Sequence, residues 1–374
     1  MKINPRTFEY IADRFDQRAF PANEIVFHEG ETGSTMYVIV EGELQVTLHN
    51  NLLDTLSDGD IFGEMSLVSN IPRSGTVTTS TNCLLIPIEK TQFTMLLAEY
   101  PDFGTQVMSV MANRLRHWME EEVNHQRIEE ELAIGQRIQL SLLPANTPDL
   151  PGWQFAAYYR AARQVGGDFY DFIKTPGDPN RQNIVIADVS GKGVPAALFM
   201  AVARTMIRGE TRNGRNPAAV LQRTNELIQS DNCSPLFLSA LHASLNTSTG
   251  QMIFASAGHE SPLLLHHNTG AVEELKVSGL VLGAFTSVSY EEETVTLDLG
   301  DVVIFYTDGV TEARNAQGQF YDDKRLEAAL ADAHDLTAAE IVGKLVESVT
   351  SFTGSAPQTD DLTAVVIKRT VSGG

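Results

Sequence analysis

The sequence predicts an α+β chain of more than one domain, with a rolled antiparallel sheet first, a long connecting helix second and a layered strand-and-helix domain third. Three observations lead there. Between about residues 18 and 98, short apolar runs alternate with turn residues at the spacing of a closed or rolled sheet. From Gly104 to Pro144 no internal proline occurs and apolar residues recur at helical spacing. Beyond Pro151, strand-like runs and helix pairs alternate in blocks. A chain of 374 residues is too long for one ordinary core and suits two. The predicted boundaries are 1–103, 104–144 for the helical linker, and 145–370.

Residues 1–16 read as a helix with Phe8, Ile11, Ala12 and Phe15 on one face. Ile25–Phe27, Met36–Val40, Leu44–Leu48 and Leu84–Ile88 read as strands, with turns at Gly30, Gly33, Gly42 and Asp58-Gly59-Asp60. In the linker, Met108, Met111, Leu115 and Trp118 follow a 3-4-3 spacing, which Ile128, Leu132, Ile138 and Leu142 continue loosely. At 1.5 Å per residue such a helix reaches about 60 Å, which suits a dimerising signalling helix. Ala145–Pro151 reads as a proline-rich linker. Ile184–Ala187 is a strand, and Val194–Gly209 is a helix expected to turn Leu198, Ala201, Val202 and Met206 inward. A second helix starts at Asn216-Pro217. Strands follow at Phe237–Leu245, Met252–Ala257, Pro262–His266, Glu292–Leu297 and Val302–Tyr306; helices near 322–333 and 337–352 precede a last strand, Leu362–Ile367.

Composition narrows the function. The formal net charge of -21 opposes nucleic-acid binding, which depends on cationic neutralisation of phosphates. Two cysteines, Cys83 and Cys233, lie far apart without metal-ligand spacing, which fits a reducing cytoplasm. No apolar run reaches the roughly 20 residues of a membrane span, and MKINPRTFEY lacks the apolar stretch of a secretion signal. No nucleophile elbow, P-loop or kinase signature occurs.

Two sets of motifs carry chemistry. The first is Phe62-Gly63-Glu64-Met65-Ser66-Leu67 followed by Pro72-Arg73-Ser74-Gly75-Thr76-Val77. Gly63 lets backbone approach an anion, Glu64 accepts from a sugar hydroxyl, and Arg73 offers a planar fork to phosphate oxygens. This resembles the phosphate-binding cassette of cyclic-nucleotide-binding domains, over roughly residues 4–115 and including Tyr37–Gly42. The resemblance implies that Arg73 holds the cyclic phosphate and Glu64 the ribose 2′-hydroxyl. Gly63, Met65, Ser66 and Ser74 then complete the cradle. Ser74, standing in place of a threonine, leans toward cAMP over cGMP. Gly75 replaces a frequent alanine, a departure expected to loosen the loop. Glu29 and Glu31 are expected to cap turns rather than touch ligand.

The second set is Val165–Asp171, Asp188–Gly193, Tyr306–Gly309 and Thr359–Thr363, each placing an aspartate at a strand end or turn. Any one alone is an ordinary turn aspartate. Converging together, they would repel unless hard cations such as Mg²⁺ or Mn²⁺ sat between them. Residues 134–369 are similar to the PPM-type phosphatases of the SpoIIE/RsbU branch, through Ile138-Gln139, Leu142–Pro144, Val165–Asp171, Ala257–His259, Gly279–Gly283, Tyr306–Arg314 and Asp360–Thr363.

That resemblance implies an αββα layered fold and two Mn²⁺ or Mg²⁺ ions. It makes Asp188 the bridging ligand, with Asp168, Asp308 and Asp360 completing the centre and Asp188 and Asp308 carrying catalysis. The Val189 carbonyl is a further ligand, and Asp361 and Asp171 are adjacent acidic candidates. His259 is expected to be structural and Lys192 a solvated turn residue. Ala161 and Tyr321 depart from the family pattern, in place of proline and glycine.

Together these imply a cytoplasmic, metal-dependent protein serine/threonine phosphatase regulated by a cyclic nucleotide. Its implied substrate is an anti-sigma-factor antagonist of a bacterial partner-switching pathway, and the 104–144 helix is expected to make a homodimer. The competing readings are a non-catalytic binding module, a nucleotide-dependent transcription regulator, and an active phosphatase whose first domain only dimerises.

Overall fold

The computed structural model describes residues 2–49, 51–69, 71–231 and 235–371; Cys233 lies outside them. The chain divides into two compact units, Met1–Arg127 and Ile128–Gly374.

In the first unit, α1 (Pro5–Arg14) starts where the Asn4 side chain accepts from the Thr7 N–H and proline takes the first turn. The strands are β1 (Arg18–Phe20), β2 (Ile25–Phe27), β3 (Thr35–Glu41), β4 (Leu44–Leu48), β5 (Asn51–Leu56), β6 (Ile61–Phe62), β7 (Thr76–Thr79) and β8 (Cys83–Glu89). They form two antiparallel sheets, β1-β8-β3-β6 and β2-β7-β4-β5. Phe27, Ile39, Leu44, Phe62, Val77 and Leu85 fill the roll. The short helix α2 (Glu64–Ser69) sits between β6 and β7, and α3 (Lys90–Glu99) follows β8. α4 (Pro101–Leu142) comes next and runs through the division between the units. Ile11, Phe93, Phe103 and Val107 of these helices pack with Met36, Val38, Ile86 and Ile88, burying the second apolar set of β3 and β8.

The 3-4-3 stripe expected along the linker splits in its first half. Met111 packs into that core, Trp118 lines a cavity, and Leu115 stays exposed beside Met108, Met119 and Val123. A helix lying against a domain must divide its apolar residues between the core and the outside.

The second unit adds β9 (Trp153–Arg160), β10 (Phe169–Lys174) and β11 (Arg181–Val189), then α5 (Val194–Arg212) and α6 (Pro217–Asp231). After these come β12 (Leu238–Asn246), β13 (Gln251–Ala257), β14 (Leu263–Leu265), β15 (Val272–Glu274), β16 (Glu293–Thr296) and β17 (Val302–Tyr306). The chain finishes with α7 (Asp308–Thr311), α8 (Asp322–Leu330), α9 (Ala338–Thr353) and β18 (Leu362–Arg369). Two antiparallel sheets result, β10-β11-β12-β13-β16 and β15-β14-β17-β18-β9. Ile184, Ile186, Leu241, Phe254, Val303, Phe305 and Val365 form the layer between them. α5 and α6 cover the outer face of the first sheet, α8 and α9 that of the second, giving αββα layers. Being covered on both faces explains why β17 is apolar and buried at every position.

One expectation is overturned in part on α5, where Met206 packs against the core as expected but Leu198 and Val202 do not. Its inward residues are Ala196, Met200, Ala203, Ile207 and Thr211, whereas Leu198 and Val202 are 66% and 50% exposed. The helix carries two apolar stripes, and the one bearing small alanines allows the closer approach to the sheet. Among the described residues, no helix is long and apolar enough to cross a membrane.

Candidate functional site

In the first unit a cavity of about 240 Å³ is lined by the predicted cassette and by Val110, Asn113, Arg114, His117 and Trp118 of α4. Arg73 is buried at its floor, where its guanidinium donates to the Gly63 carbonyl (3.0 Å), Ser66 Oγ (2.7 Å) and the Thr35 carbonyl (2.7 Å). Its Cζ lies over the Phe27 ring, 4.1 Å from the centroid. Gly63 has φ +78°, and a Cβ there or on Gly33 would stand 2.6 Å from the guanidinium, so both glycines make room for it.

Glu64 is 1% exposed. One oxygen accepts from Arg114 Nη1 at 2.7 Å, while Oε2 is buried without a partner among the described residues. A buried carboxylate oxygen left unpaired is costly, and a hydroxyl donor from a ligand would satisfy it. Met65, Ser66 and Ser74 also line the cavity. Gly75 does not loosen the loop as expected: a Cβ there would lie 2.9 Å from the Thr47 carbonyl, so close strand packing demands glycine. Glu31 caps the turn at His28 N–H (2.9 Å), and Glu29 accepts from the His49 N–H (3.1 Å). Arg114 escaped the sequence reading because a lone arginine in a helix carries no local signal; only the fold brings it to Glu64.

In the second unit the predicted aspartates gather where β10, β11, β17 and β18 begin or end. Asp168 precedes β10, Asp188 is the penultimate residue of β11, Asp308 opens α7 after β17, and Asp360 and Asp361 precede β18. Asp168 is fully buried and accepts from the hydroxyls of Thr307 (2.8 Å) and Thr363 (2.5 Å), tying one sheet to the other. Burial first, then the charges of Asp188 and Asp361, hold its carboxyl well above the usual carboxylate range. Burial raises Asp188 to about 7, opposed by its hydrogen bond with Asp168 and reinforced by Asp308, Asp360 and Asp361. Burial and then the Asp360 charge raise Asp308 to about 6.

These residues form a charge cluster rather than a preformed cage: among the described residues, no three Asp, Glu, His or Cys side chains converge as metal ligands. The reasons are local. Asp360 is held by Lys192 Nζ at 2.7 Å, so that lysine is an ion-pair partner rather than a solvated turn residue. Asp361 accepts from the N–H groups of Ala162 (2.8 Å), Gly167 (2.6 Å) and Asp168 (3.2 Å) and so organises the loop carrying Asp168. Asp171 accepts from Arg208 at 2.6 and 2.7 Å and lies 3.0 Å from Arg204, which excludes it from the cluster and joins β10 to α5. The Val189 carbonyl stands near Gly167, where a Cβ would meet it at 2.9 Å.

His259 Nδ1 pairs with Ser239 Oγ at 2.7 Å, and burial pushes the ring down to about 4, keeping it neutral. Tyr321 is buried and shares a 2.6 Å hydrogen bond with Ser348, so its bulk belongs to the α8–α9 core. Gln139 of α4, noted in the sequence only as part of a motif, is 5% exposed and grips Gly166: its Nε2 donates to the carbonyl (2.5 Å) and its Oε1 accepts the N–H (3.1 Å).

A rolled sheet enclosing an Arg–Glu pocket, ahead of an αββα unit with carboxylates at its sheet ends, defines a ligand-pocket β-roll followed by a PP2C-type unit. Residues 178–370 match the family model for Stage II sporulation protein E, and residues 17–100 match that for the cyclic nucleotide-binding domain. The chain belongs to the SpoIIE family and carries a cyclic-nucleotide-binding domain in front of its phosphatase-type domain. It is 30% identical to phosphoserine phosphatase RsbU of Bacillus subtilis over 66% of this chain and 72% of that one. The SiaA-PP2C domain of Pseudomonas aeruginosa superposes with a TM-score of 0.58 at 25% identity, covering 65% of this chain and 98% of that one. A CRP-like cAMP-activated global transcriptional regulator of Mycobacterium tuberculosis is 28% identical over 30% of this chain and 53% of that protein.

Proposed function

We propose that the chain is a cytoplasmic, metal-dependent protein serine/threonine phosphatase whose activity is set by a cyclic nucleotide, cAMP in preference to cGMP. The observation that carries the reading is the cluster of Asp168, Asp188, Asp308 and Asp360 at the sheet ends, in which burial and neighbouring carboxylates push Asp168, Asp188 and Asp308 up. Oxygen-only donors with more carboxylates than the one lysine balances suit Mn²⁺ or Mg²⁺, and Asp188, Asp308, Asp360 and the Val189 carbonyl are the groups that would hold them. The chemistry supplied by ions held there would be activation of a water and neutralisation of phosphoryl charge. Asp168 braces Asp188 across the two sheets, and Asp361 fixes the loop that presents Asp168.

In the first unit Arg73 is the phosphate-binding cation, and the unpaired oxygen of Glu64 is the acceptor for a ribose hydroxyl. The cAMP preference rests on Ser74 and on likeness to a regulator that is named for cAMP. The substrate is an anti-sigma-factor antagonist, a reading that rests on resemblance to partner-switching phosphatases. A homodimer is supported by Met108, Leu115, Met119 and Val123, which leave an apolar stripe of α4 54–68% exposed.

The test is Mn²⁺-dependent hydrolysis of p-nitrophenyl phosphate and of a phosphoserine protein, with and without each nucleotide, and with Asp188→Ala as control. Turnover that needs metal, vanishes in the variant and responds to one nucleotide supports the whole reading. Turnover indifferent to both nucleotides removes the sensor, and no turnover leaves a binding module.

A further inference from the structure

Beside the aspartate cluster a second cavity, of about 290 Å³, opens between the end of β9, the 309–314 segment, the end of α9 and residues 356–362. Gly309 and Asp360 line it, so it adjoins the carboxylates directly. Ala313, Val349 and Leu362 give it a buried apolar floor.

Its charged lining runs against the balance of the chain. Carboxylates outnumber Lys and Arg by 48 to 27 overall, yet Arg160 and Arg314 both face this cavity. Both side chains are exposed, and among the described residues neither pairs with a carboxylate. Arg314 instead stacks on Phe320, with 4.4 Å to the ring centroid, which orients the guanidinium without neutralising it. Asp360, the remaining charged residue of the lining, is already held by Lys192. Two guanidiniums lining one cavity beside the carboxylates, one of them oriented by its ring contact, are a receptor for planar anions.

We propose that this cavity is a specificity subsite, in which Arg160 and Arg314 bind an aspartate or glutamate side chain of the substrate protein close to its phosphorylated residue. The inference rests on the phosphatase reading and adds its substrate class, phosphoproteins with an acidic flank. Charge complementarity of this kind selects partners and orients them more than it adds affinity. A flanking carboxylate seated here would hold the phosphorylated residue over the aspartate cluster, while small phosphate esters lacking a flank would gain nothing.

The experiment uses the full chain with Mn²⁺ and three probes: p-nitrophenyl phosphate, phosphoserine peptides with Asp or Glu on either side, and the same peptides with Asn or Gln. The wild type should favour the acidic peptides. The Arg160→Gln, Arg314→Gln double variant should lose about tenfold in kcat/KM on them, mostly through KM, with the other two probes unchanged. The Arg160→Glu, Arg314→Glu double variant should prefer the neutral peptides, and the wild-type preference should fade as salt rises. Equal rates of the wild type on both peptide sets, or equal losses of the variants on all three probes, would overturn the subsite while leaving the phosphatase standing. Absence of wild-type turnover of p-nitrophenyl phosphate would overturn both.

Discussion

Replacing Asp361 with asparagine separates a loop organiser from a metal ligand, because the two roles predict opposite changes in the metal-free protein. The carboxylate accepts three backbone N–H bonds, one on Oδ1 from Ala162 and two on Oδ2 from Gly167 and Asp168. Asparagine keeps one carbonyl oxygen, so its amide NH₂ must face at least one of those donors. Hydrogen bonds to charged groups contribute about 1.5–3 kcal/mol each, and an orphaned buried N–H costs about as much. Part of that loss is offset, since removing the charge relieves Asp168 and Asp188. The net expectation is a loss of about 2 kcal/mol for Asp361→Asn and about 4 kcal/mol for Asp361→Ala, which gives up all three bonds. The loop has no slack to compensate, because a Cβ on Gly166 would stand 2.1 Å from Oδ2. Urea unfolding in EDTA reads the difference. An organiser loses the same stability in EDTA and in Mn²⁺. A ligand would lose only the Mn²⁺ increment and would gain stability in EDTA as repulsion fell. Metal-free stability equal to or above the wild type would refute the organising role.

Three further outcomes are expected. Glu64→Gln should weaken cyclic-nucleotide binding about tenfold or more by calorimetry, since it alters the buried acceptor that Arg114 orients; unchanged affinity would remove Glu64 from the site. Met119→Lys with Val123→Lys should shift the chain toward monomer in sedimentation velocity, and an unaltered dimer would place the interface elsewhere. Asp188 at about 7 and Asp308 at about 6 lie above the ordinary carboxylate value of about 4, so the metal-free folded state binds more protons than the unfolded chain in that window. Its stability therefore falls as pH rises from about 4 to 7, and the increment in Tm from Mn²⁺ should be larger at pH 8 than at pH 5. An increment independent of pH would refute the charge-cluster account.

Period and punctuation made the framework readable. Asn216-Pro217 marks a helix start, and the apolar run Val302–Tyr306 reads as a strand, which the fold covers on both faces. The face of α5 was not readable, because Leu198 and Ile207 are equally apolar and the choice between stripes depends on the sheet below. The aspartates were legible as a set, but their individual duties were not. Asp360 and Asp361 are neighbours of identical chemistry, and one meets a lysine while the other meets three amides. Asp171 sits in the same motif as Asp168 yet, by the alternation of a strand, reaches Arg204 and Arg208 on α5. Such assignments depend on partners more than 30 residues away, which local pattern does not encode.

The same distance argument bears on how a nucleotide could reach the reaction centre. α4 supplies Arg114 to Glu64 in the first unit and Gln139 to Gly166 in the second, two residues before Asp168. On the proposed function, a ligand hydroxyl at Glu64 would change the partner balance of Arg114, and α4 is the segment that carries both Arg114 and Gln139. Such coupling demands that the nucleotide bind the two helix arrangements with different affinity, and its effect cannot exceed that difference. Gln139→Ala removes both bonds to Gly166 and leaves the nucleotide pocket untouched. It should abolish the response of turnover to nucleotide while calorimetric affinity for the nucleotide stays within about twofold of a wild-type control. A Gln139→Ala enzyme that still responds fully would mean that the signal travels by another part of the chain.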